Sequence, residues 1–168
     1  MSWKFNCFSF LLSGLLFLCS ATCAGELEDA ANAYEQGNFS EVIKIVRPFA
    51  EKNAAWAESI FGMLFENGQG VEQDDAQAFR WYKSASTHGN AYAQFKLGQM
   101  LEVGLGTIQD HEASMKWYFK AAEQGLISAQ YRLGYLYDIG KGTTQNYELA
   151  AKWYRLAAIN GHPIAQVN

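Results

Sequence analysis

The chain has 168 residues, with 13 Lys and Arg against 17 Asp and Glu, a net charge of -4, and 49% hydrophobic residues. Mild acidity without a Lys or Arg cluster lacks the electrostatic footprint of a nucleic-acid binder, and it argues against an anionic membrane surface as the main partner. The length is ample for one core of ordinary domain size.

Residues 1–24 differ in kind from the rest. A single positive charge at Lys4 precedes an apolar run of 11 residues from Phe8 to Leu18, followed by the small residues Ala21, Thr22 and Ala24. That order is the pattern of a cleavable signal peptide, with cleavage expected after Ala24 or Ala21. A spanning helix needs about 20 apolar residues, so stable membrane insertion is not expected after cleavage. Export would place the protein in the periplasm or outside the cell. Ser20, Ala21 and Thr22 before Cys23 make a poor lipoprotein site, as the usual leucine is missing. All three cysteines, Cys7, Cys19 and Cys23, lie in this leader. A chain starting at Gly25 would therefore hold no disulfide, and packing alone must stabilise it. Lys4 is the only charge removed, so the net charge becomes -5.

Residues 25–53 read as an irregular pair of helices, Glu26 to Gln36 and Phe39 to Lys52, turning at Gly37-Asn38. Pro48 should kink or end the second of them. The pair is read as an N-terminal cap, because the end unit of a stacked array must shield it from water.

A strict step of 36 residues then begins. Ala57, Ala93, Ala129 and Ala165 keep it, as do Gly62, Gly98 and Gly134, and Gly68, Gly104 and Gly140. So do Gly70, Gly106 and Gly142, Trp81, Trp117 and Trp153, Tyr82, Tyr118 and Tyr154, and Gly89, Gly125 and Gly161. The step defines three units, 54–90, 91–126 and 127–162, and a fourth begun at 163–168. Pro163 to Asn168 align with Ala55 to Ile60, so the array reads as a fragment or a truncation.

Each unit predicts helix, turn, helix. In the first unit a helix over 54–67 places Ala57, Phe61, Leu64 and Phe65 on one face at 3.6 residues per turn. Gly68-Gln69-Gly70 ends it, since glycine adopts the left-handed conformation without steric cost. Asp74, Asp110 and Asn146 are expected to cap the second helices, which run to about His88 in the first unit. Gly62 inside the first helix costs about 1 kcal/mol against alanine, and its recurrence predicts a close helix crossing as compensation. The Trp-Tyr pair of each unit is expected to supply much of the stacking energy.

The run Ala-Glu-Ser-Ile-Phe-Gly-Met-Leu-Phe-Glu-Asn-Gly-Gln-Gly-Val-Glu-Gln-Asp from Ala57, followed by Ala78-Phe79-Arg80-Trp81-Tyr82-Lys83-Ser84-Ala85, resembles the Sel-one-like repeat (SLR), a relative of the tetratricopeptide repeat. Leu97-Gly98 with Lys116-Trp117-Tyr118, and Leu133-Gly134-Tyr135-Leu136-Tyr137 with Lys152-Trp153-Tyr154, match it more fully. The resemblance implies an all-α fold, a right-handed α/α superhelix (solenoid) of tandem antiparallel helical hairpins. It also implies a bacterial adaptor or scaffold that binds a protein or peptide partner on the concave helix face, without a cofactor and without catalysis. The alternative that it implies is a protein that binds or hydrolyses cell-wall fragments or β-lactams. Some secreted members carry a disulfide in each hairpin, for which this chain has no cysteine.

The residues themselves offer little chemistry of their own. Gly68-Gln69-Gly70 lacks the Gly-Lys-Ser/Thr and the upstream strand of a phosphate loop. His88, His111 and His162 occupy three different positions of the repeat, so no shared metal site follows. Ser59, Ser84, Ser86, Ser114 and Ser128 have no nucleophile setting. Asp74-Asp75 is explained by a helix start. The candidate binding surface comes from comparing copies, because fixed positions pack and varied positions are free to recognise. Trp56, Ile60, Met63 and Asn67, then Tyr92, Lys96, Gln99 and Val103, then Ser128, Arg132, Tyr135 and Ile139 form matching stripes on the first helices. Tyr92, Lys96, Gln99, Arg132 and Tyr135 are the candidate groove residues, together with Trp56 and Met63. Aromatic and Arg side chains are typical anchors at interfaces. Trp56, Ile60 and Met63 have a competing reading as packing against the cap.

Overall fold

Alternation of amphipathic segments with glycine turns yields eight helices among the described residues, 21–165 of the computed structural model. They are α1 (Ala21–Glu35), α2 (Phe39–Ala50), α3 (Ala55–Asn67), α4 (Asp75–Thr87), α5 (Ala91–Val103), α6 (His111–Glu123), α7 (Ile127–Ile139) and α8 (Tyr147–Ile159). Each helix packs mainly on its neighbours in sequence, and α3 also touches α5. The result is a solenoid of hairpins α3–α4, α5–α6 and α7–α8 behind the pair α1–α2. Residues 1–20, which hold most of the expected leader, and 166–168 lie outside the described residues. None of the helices among the described residues is long and apolar enough to cross a membrane.

The local signals act as their chemistry requires. Gly68, Gly104 and Gly140 end α3, α5 and α7 in the left-handed region, with φ of 65°, 78° and 68°. Asp74 accepts from the Ala76 and Gln77 amides, Asp110 from Ala113 and Asn146 from Leu149. Each satisfies N–H groups that the first helical turn leaves open. Within the described residues α1 reaches back to Ala21, ahead of the expected Glu26. Pro48 lies inside α2, which ends two residues later at Ala50.

The core runs along the stack as two clusters of buried residues, one from the cap into the second unit and one from the second unit into the third. Val42, Val46, Ala57, Leu64, Ala78, Tyr82, Ala85 and Ala93 are wholly buried from the cap into the second unit, and Tyr118, Ala121, Ala129 and Leu133 carry burial into the third. The glycines within the first helices meet the tyrosines of the second. A Cβ on Gly62 would lie 2.6 Å from Tyr82 Cδ1, one on Gly98 2.8 Å from Tyr118 Cδ1, and one on Gly134 2.7 Å from Tyr154 Cδ1. These are the close crossings that the recurrent glycine predicted.

The Trp-Tyr pair divides its work unevenly. Tyr82 and Tyr118 are fully buried, whereas Trp81 and Trp117 are half-buried. Trp81 stacks on Phe61 at 4.9 Å between ring centroids, and Trp117 carries Lys120 Nζ 4.2 Å over its ring. Tyrosine is therefore the deeper element of each pair in the first two units.

The second glycine of each loop joins units. A Cβ on Gly106 would overlap the carbonyl of Asp75 at the start of α4, and one on Gly142 would overlap that of His111 at the start of α6. In the first unit Gly70 meets Phe39 and Ile43 of α2, so the α1–α2 pair receives the loop as a preceding hairpin would. Tyr34 adds to that joint by donating from its hydroxyl to Gln69 Oε1 at 3.0 Å.

Candidate protein-interaction face

The first helices α3, α5 and α7 present equivalent positions one unit apart, and the cap decides which of them stay open. Trp56, Ile60 and Met63 on α3 are buried, and the Trp56 ring sits 5.0 Å from that of Phe49 in α2. Trp56 and Met63 thus leave the candidate surface. The helix α2 packs on α3 and replaces water over these side chains, which makes them core.

On α5 and α7 the row stays open. Gln99 and Tyr135 are exposed, and Tyr92, Lys96 and Arg132 are half-buried. Lys96 Nζ lies 6.0 Å from the Tyr92 ring centroid, and Arg132 Cζ lies 5.0 Å from that of Tyr135. The structure therefore brings Tyr92, Lys96 and Gln99 together on one helix, and Arg132 and Tyr135 together on the equivalent helix of the next unit.

The two cations are not available as loose charges. Lys96 Nζ donates to Glu66 Oε1 at 2.6 Å, while the hydroxyl of Tyr82 donates to the other oxygen of the same carboxylate at 2.6 Å. One unit later Arg132 engages both oxygens of Glu102, with Nε 3.0 Å from Oε2. The Tyr118 hydroxyl donates to Glu102 at 2.9 Å, and Lys141 Nζ donates at 3.3 Å. Each rung joins an acid that ends one first helix, a tyrosine of the same unit, and a cation of the next unit. The third rung holds Asp138 near Tyr154, and its cation position is Asn168, outside the described residues.

Burial gives these rungs their electrostatic character. Burial pushes the Glu102 carboxyl up, but Arg132, Tyr118 and Lys141 together outweigh it and hold the group below the usual carboxylate range. Arg132 is driven upward on balance, because the Glu102 carboxylate outweighs its desolvation. Burial, then the nearby Glu102 carboxylate, pushes the Tyr118 hydroxyl well up, and burial followed by Asp138 pushes Tyr154 up to about 12. A buried pair of this kind adds little net stability, yet removing one partner leaves a stranded charge at a cost of about 3 to 5 kcal/mol.

A second ladder runs near the opposite ends of the first helices. Gln124 Nε2 donates to Gln94 Oε1 at 2.8 Å, and Asn160 Nδ2 donates to Gln130 Oε1 at 3.0 Å. The first unit puts a carboxylate and an imidazole in those places, with His88 Nδ1 2.7 Å from Glu58 Oε2. Ser84 Oγ donates to the other Glu58 oxygen at 2.6 Å, so the serine faces the carboxylate and not the histidine. That arrangement gives the serine no base of the nucleophile type. His162 stacks on Tyr131 at 4.1 Å, and the His111 Nδ1 is buried without a hydrogen-bond partner. Among the described residues no group of three or more His, Cys, Asp or Glu side chains is placed to hold a metal ion.

Lys96 and Arg132, candidate recognition residues by register, are held by acids that the register marks as well. The signal was present, since Glu66, Glu102 and Asp138 keep the 36-residue step, and Lys96 and Arg132 each follow an acid by 30 residues. Glu58, Gln94 and Gln130 keep the step as well.

Comparison with known proteins gives a consistent answer. A family model described as the Sel1 repeat matches residues 57–90, 91–126 and 127–162. The chain is similar to the crystal structure of a Sel1 repeat protein from Oxalobacter formigenes, with 34% identity and a TM-score of 0.78, covering 82% of this chain and 56% of that one. It is also similar to a protective antigen with an SLR fold present in uropathogenic Escherichia coli strains, with 36% identity and a TM-score of 0.79, covering 94% of this chain and 34% of that one. Cysteine rich protein B of Helicobacter pylori shares the fold, at 22% identity and a TM-score of 0.60, covering 77% of this chain and 92% of that one. The chain thus spans about half and about a third of the length of the first two. No match was found among curated proteins.

Proposed function

Because the chain belongs to the Sel1 repeat family, whose repeats generally serve as scaffolds for protein interaction, we propose that it is an exported adaptor holding a peptide or partner domain on the row formed by α5 and α7. The row would be the concave face of the solenoid. The observation that carries this reading is a ring beside an anchored cation on both helices, Tyr92 by Lys96 on α5 and Tyr135 by Arg132 on α7, the cations in register and the rings at different repeat positions, each cation held by a glutamate. A ring whose neighbour is anchored loses little freedom on binding, and preordered aromatic contacts are what interfaces favour. Export rests on the leader-like pattern of residues 1–24, which supports a location in the periplasm or outside the cell.

Capture of partners from an envelope extract, read by mass spectrometry, tests both parts. The exported chain should begin after Ala21 or Ala24 and retain a specific partner, and Tyr92→Ala with Tyr135→Ala should release it. Retention of the same partner by the folded double variant would remove the row as the binding face. An uncleaved chain would remove the export reading.

A further inference from the structure

We infer that the side of the α7–α8 hairpin bearing Asp138 and Tyr154 is a docking site for a helical segment of a partner protein, and that Asp138 receives an arginine from that segment. The site adds a second contact to the row proposed above and does not depend on it.

The chain itself shows what chemistry this place takes. Glu66 ends one first helix, accepts from the Tyr82 hydroxyl at 2.6 Å and pairs with Lys96 Nζ at 2.6 Å. Glu102 repeats the arrangement with the Tyr118 hydroxyl at 2.9 Å and with Arg132. In both rungs the cation comes from a helix, α5 or α7, laid against the second helix of the preceding hairpin. Asp138 and Tyr154 stand at the same two positions one unit on. The packing beneath them is also the same, since a Cβ on Gly134 would lie 2.7 Å from Tyr154 as one on Gly98 would lie 2.8 Å from Tyr118.

The charge of this third rung is not matched from within. Arg132 and Lys141, the basic residues nearest to Asp138 in sequence, both turn to Glu102 of the preceding unit. Among the described residues the Asp138 carboxylate has neither a hydrogen bond nor an ion pair. Lys96 and Arg132 follow their acids by 30 residues, and the residue 30 beyond Asp138 is Asn168, whose amide carries no charge. Asp138 is half-buried, where a carboxylate attracts a cation more strongly than it does in open water.

Arginine fits better than lysine. Aspartate is one methylene shorter than glutamate, so the longer side chain is the one that reaches it. Aromatic surface adjoins the acid, since Asp138 and Tyr131 both act on the Tyr154 hydroxyl. The Tyr131 and Tyr154 rings lie 5.4 Å apart, and His162 stacks on Tyr131 at 4.1 Å. A planar guanidinium stacks on such rings while it meets a carboxylate with two parallel N–H bonds. Arg132 does both in the second rung, engaging Glu102 with its Cζ 5.0 Å from the Tyr135 ring centroid.

Fluorescence anisotropy on the full chain provides the test. The probes are a labelled helical peptide rich in Ala and Gln with one central arginine, and its citrulline counterpart, which keeps the shape and loses the charge. The arginine peptide should bind saturably. Exchange of arginine for citrulline, or Asp138→Asn in the protein, should each weaken binding at least about tenfold, a loss of about 1.4 kcal/mol. Asp138→Glu should retain binding, because it restores the acid of the first two rungs. Glu123→Gln removes the same charge from an exposed position on α6 and should leave the affinity unchanged. Unchanged melting curves would show the variants folded, and the comparison of the two peptides on the parent chain needs no variant. Equal binding of both peptides, equal binding by Asp138→Asn, an equal loss with Glu123→Gln, or no saturable binding would each overturn the inference. So would equal affinity for arginine amide alone, which would make this a site for a small cation and not for a helix. The row stands or falls separately, on whether Tyr92→Ala with Tyr135→Ala releases the envelope partner.

Discussion

Replacing Gly98 by alanine sets two effects of opposite sign against each other. In a helix interior the change should stabilise by about 1 kcal/mol, because alanine loses less backbone freedom on folding. Here the new Cβ would lie 2.8 Å from both Cδ1 and Cε1 of Tyr118 and 3.2 Å from Cγ. Overpacking of this kind costs about 1 to 3 kcal/mol. The ring has no room to withdraw, since it is fully buried and its hydroxyl donates to Glu102 at 2.9 Å. Sliding it outward would weaken a hydrogen bond to a charged acceptor, worth about 1.5 to 3 kcal/mol. Packing therefore wins, with a net loss of up to about 2 kcal/mol from overpacking less the helix gain, and more if the ring slides and the hydrogen bond weakens. The corresponding change at Gly134 meets Tyr154, which is only half-buried and can tilt toward solvent, so Gly134→Ala should cost visibly less. Urea unfolding of the parent and the two variants measures this directly, as a fall in midpoint at unchanged slope. A higher midpoint for Gly98→Ala would show that the glycine is merely tolerated and that the close crossing is not what retains it.

Further outcomes follow from the rungs and the aromatic pair. Tyr118→Ala should cost about 3 to 5 kcal/mol and Trp117→Ala less, because only the tyrosine is wholly buried; thermal melting of both would reveal a reversed order. Glu102 titrates below its unfolded value near 4.5, so its contribution to stability is present above that pH and is lost as the pH falls through the folded value. Arg132→Met should shrink that acid-limb loss in a series of melts across pH 2 to 6, the range about the carboxylate value. Tyr154 titrates near 12 when folded against 10 unfolded, so stability should decline as the pH rises from about 10 towards 12, and Tyr154→Phe should flatten that decline.

The 36-residue step by itself determined the fold class, the units and the turns, because a hairpin's ends depend on local chemistry. Glycine past a helix end and Asp or Asn before a helix start act through their own backbone and side chain, whatever lies around them. The sequence also marked the close crossing at Gly62, Gly98 and Gly134, though without its tyrosine partner. Tertiary structure alone decided which face stayed open. Trp56 and Met63 look like Tyr92 and Gln99 in register, and the docking of α2 on α3 buries them. It also decided what the cations do. Lys96 and Arg132 each lie 30 residues beyond the acid they bind, a distance closed by stacking one hairpin on the next. A charge that seemed free for a ligand is thereby spent inside the solenoid, because ion pairing depends on separation in space and not on position along the chain.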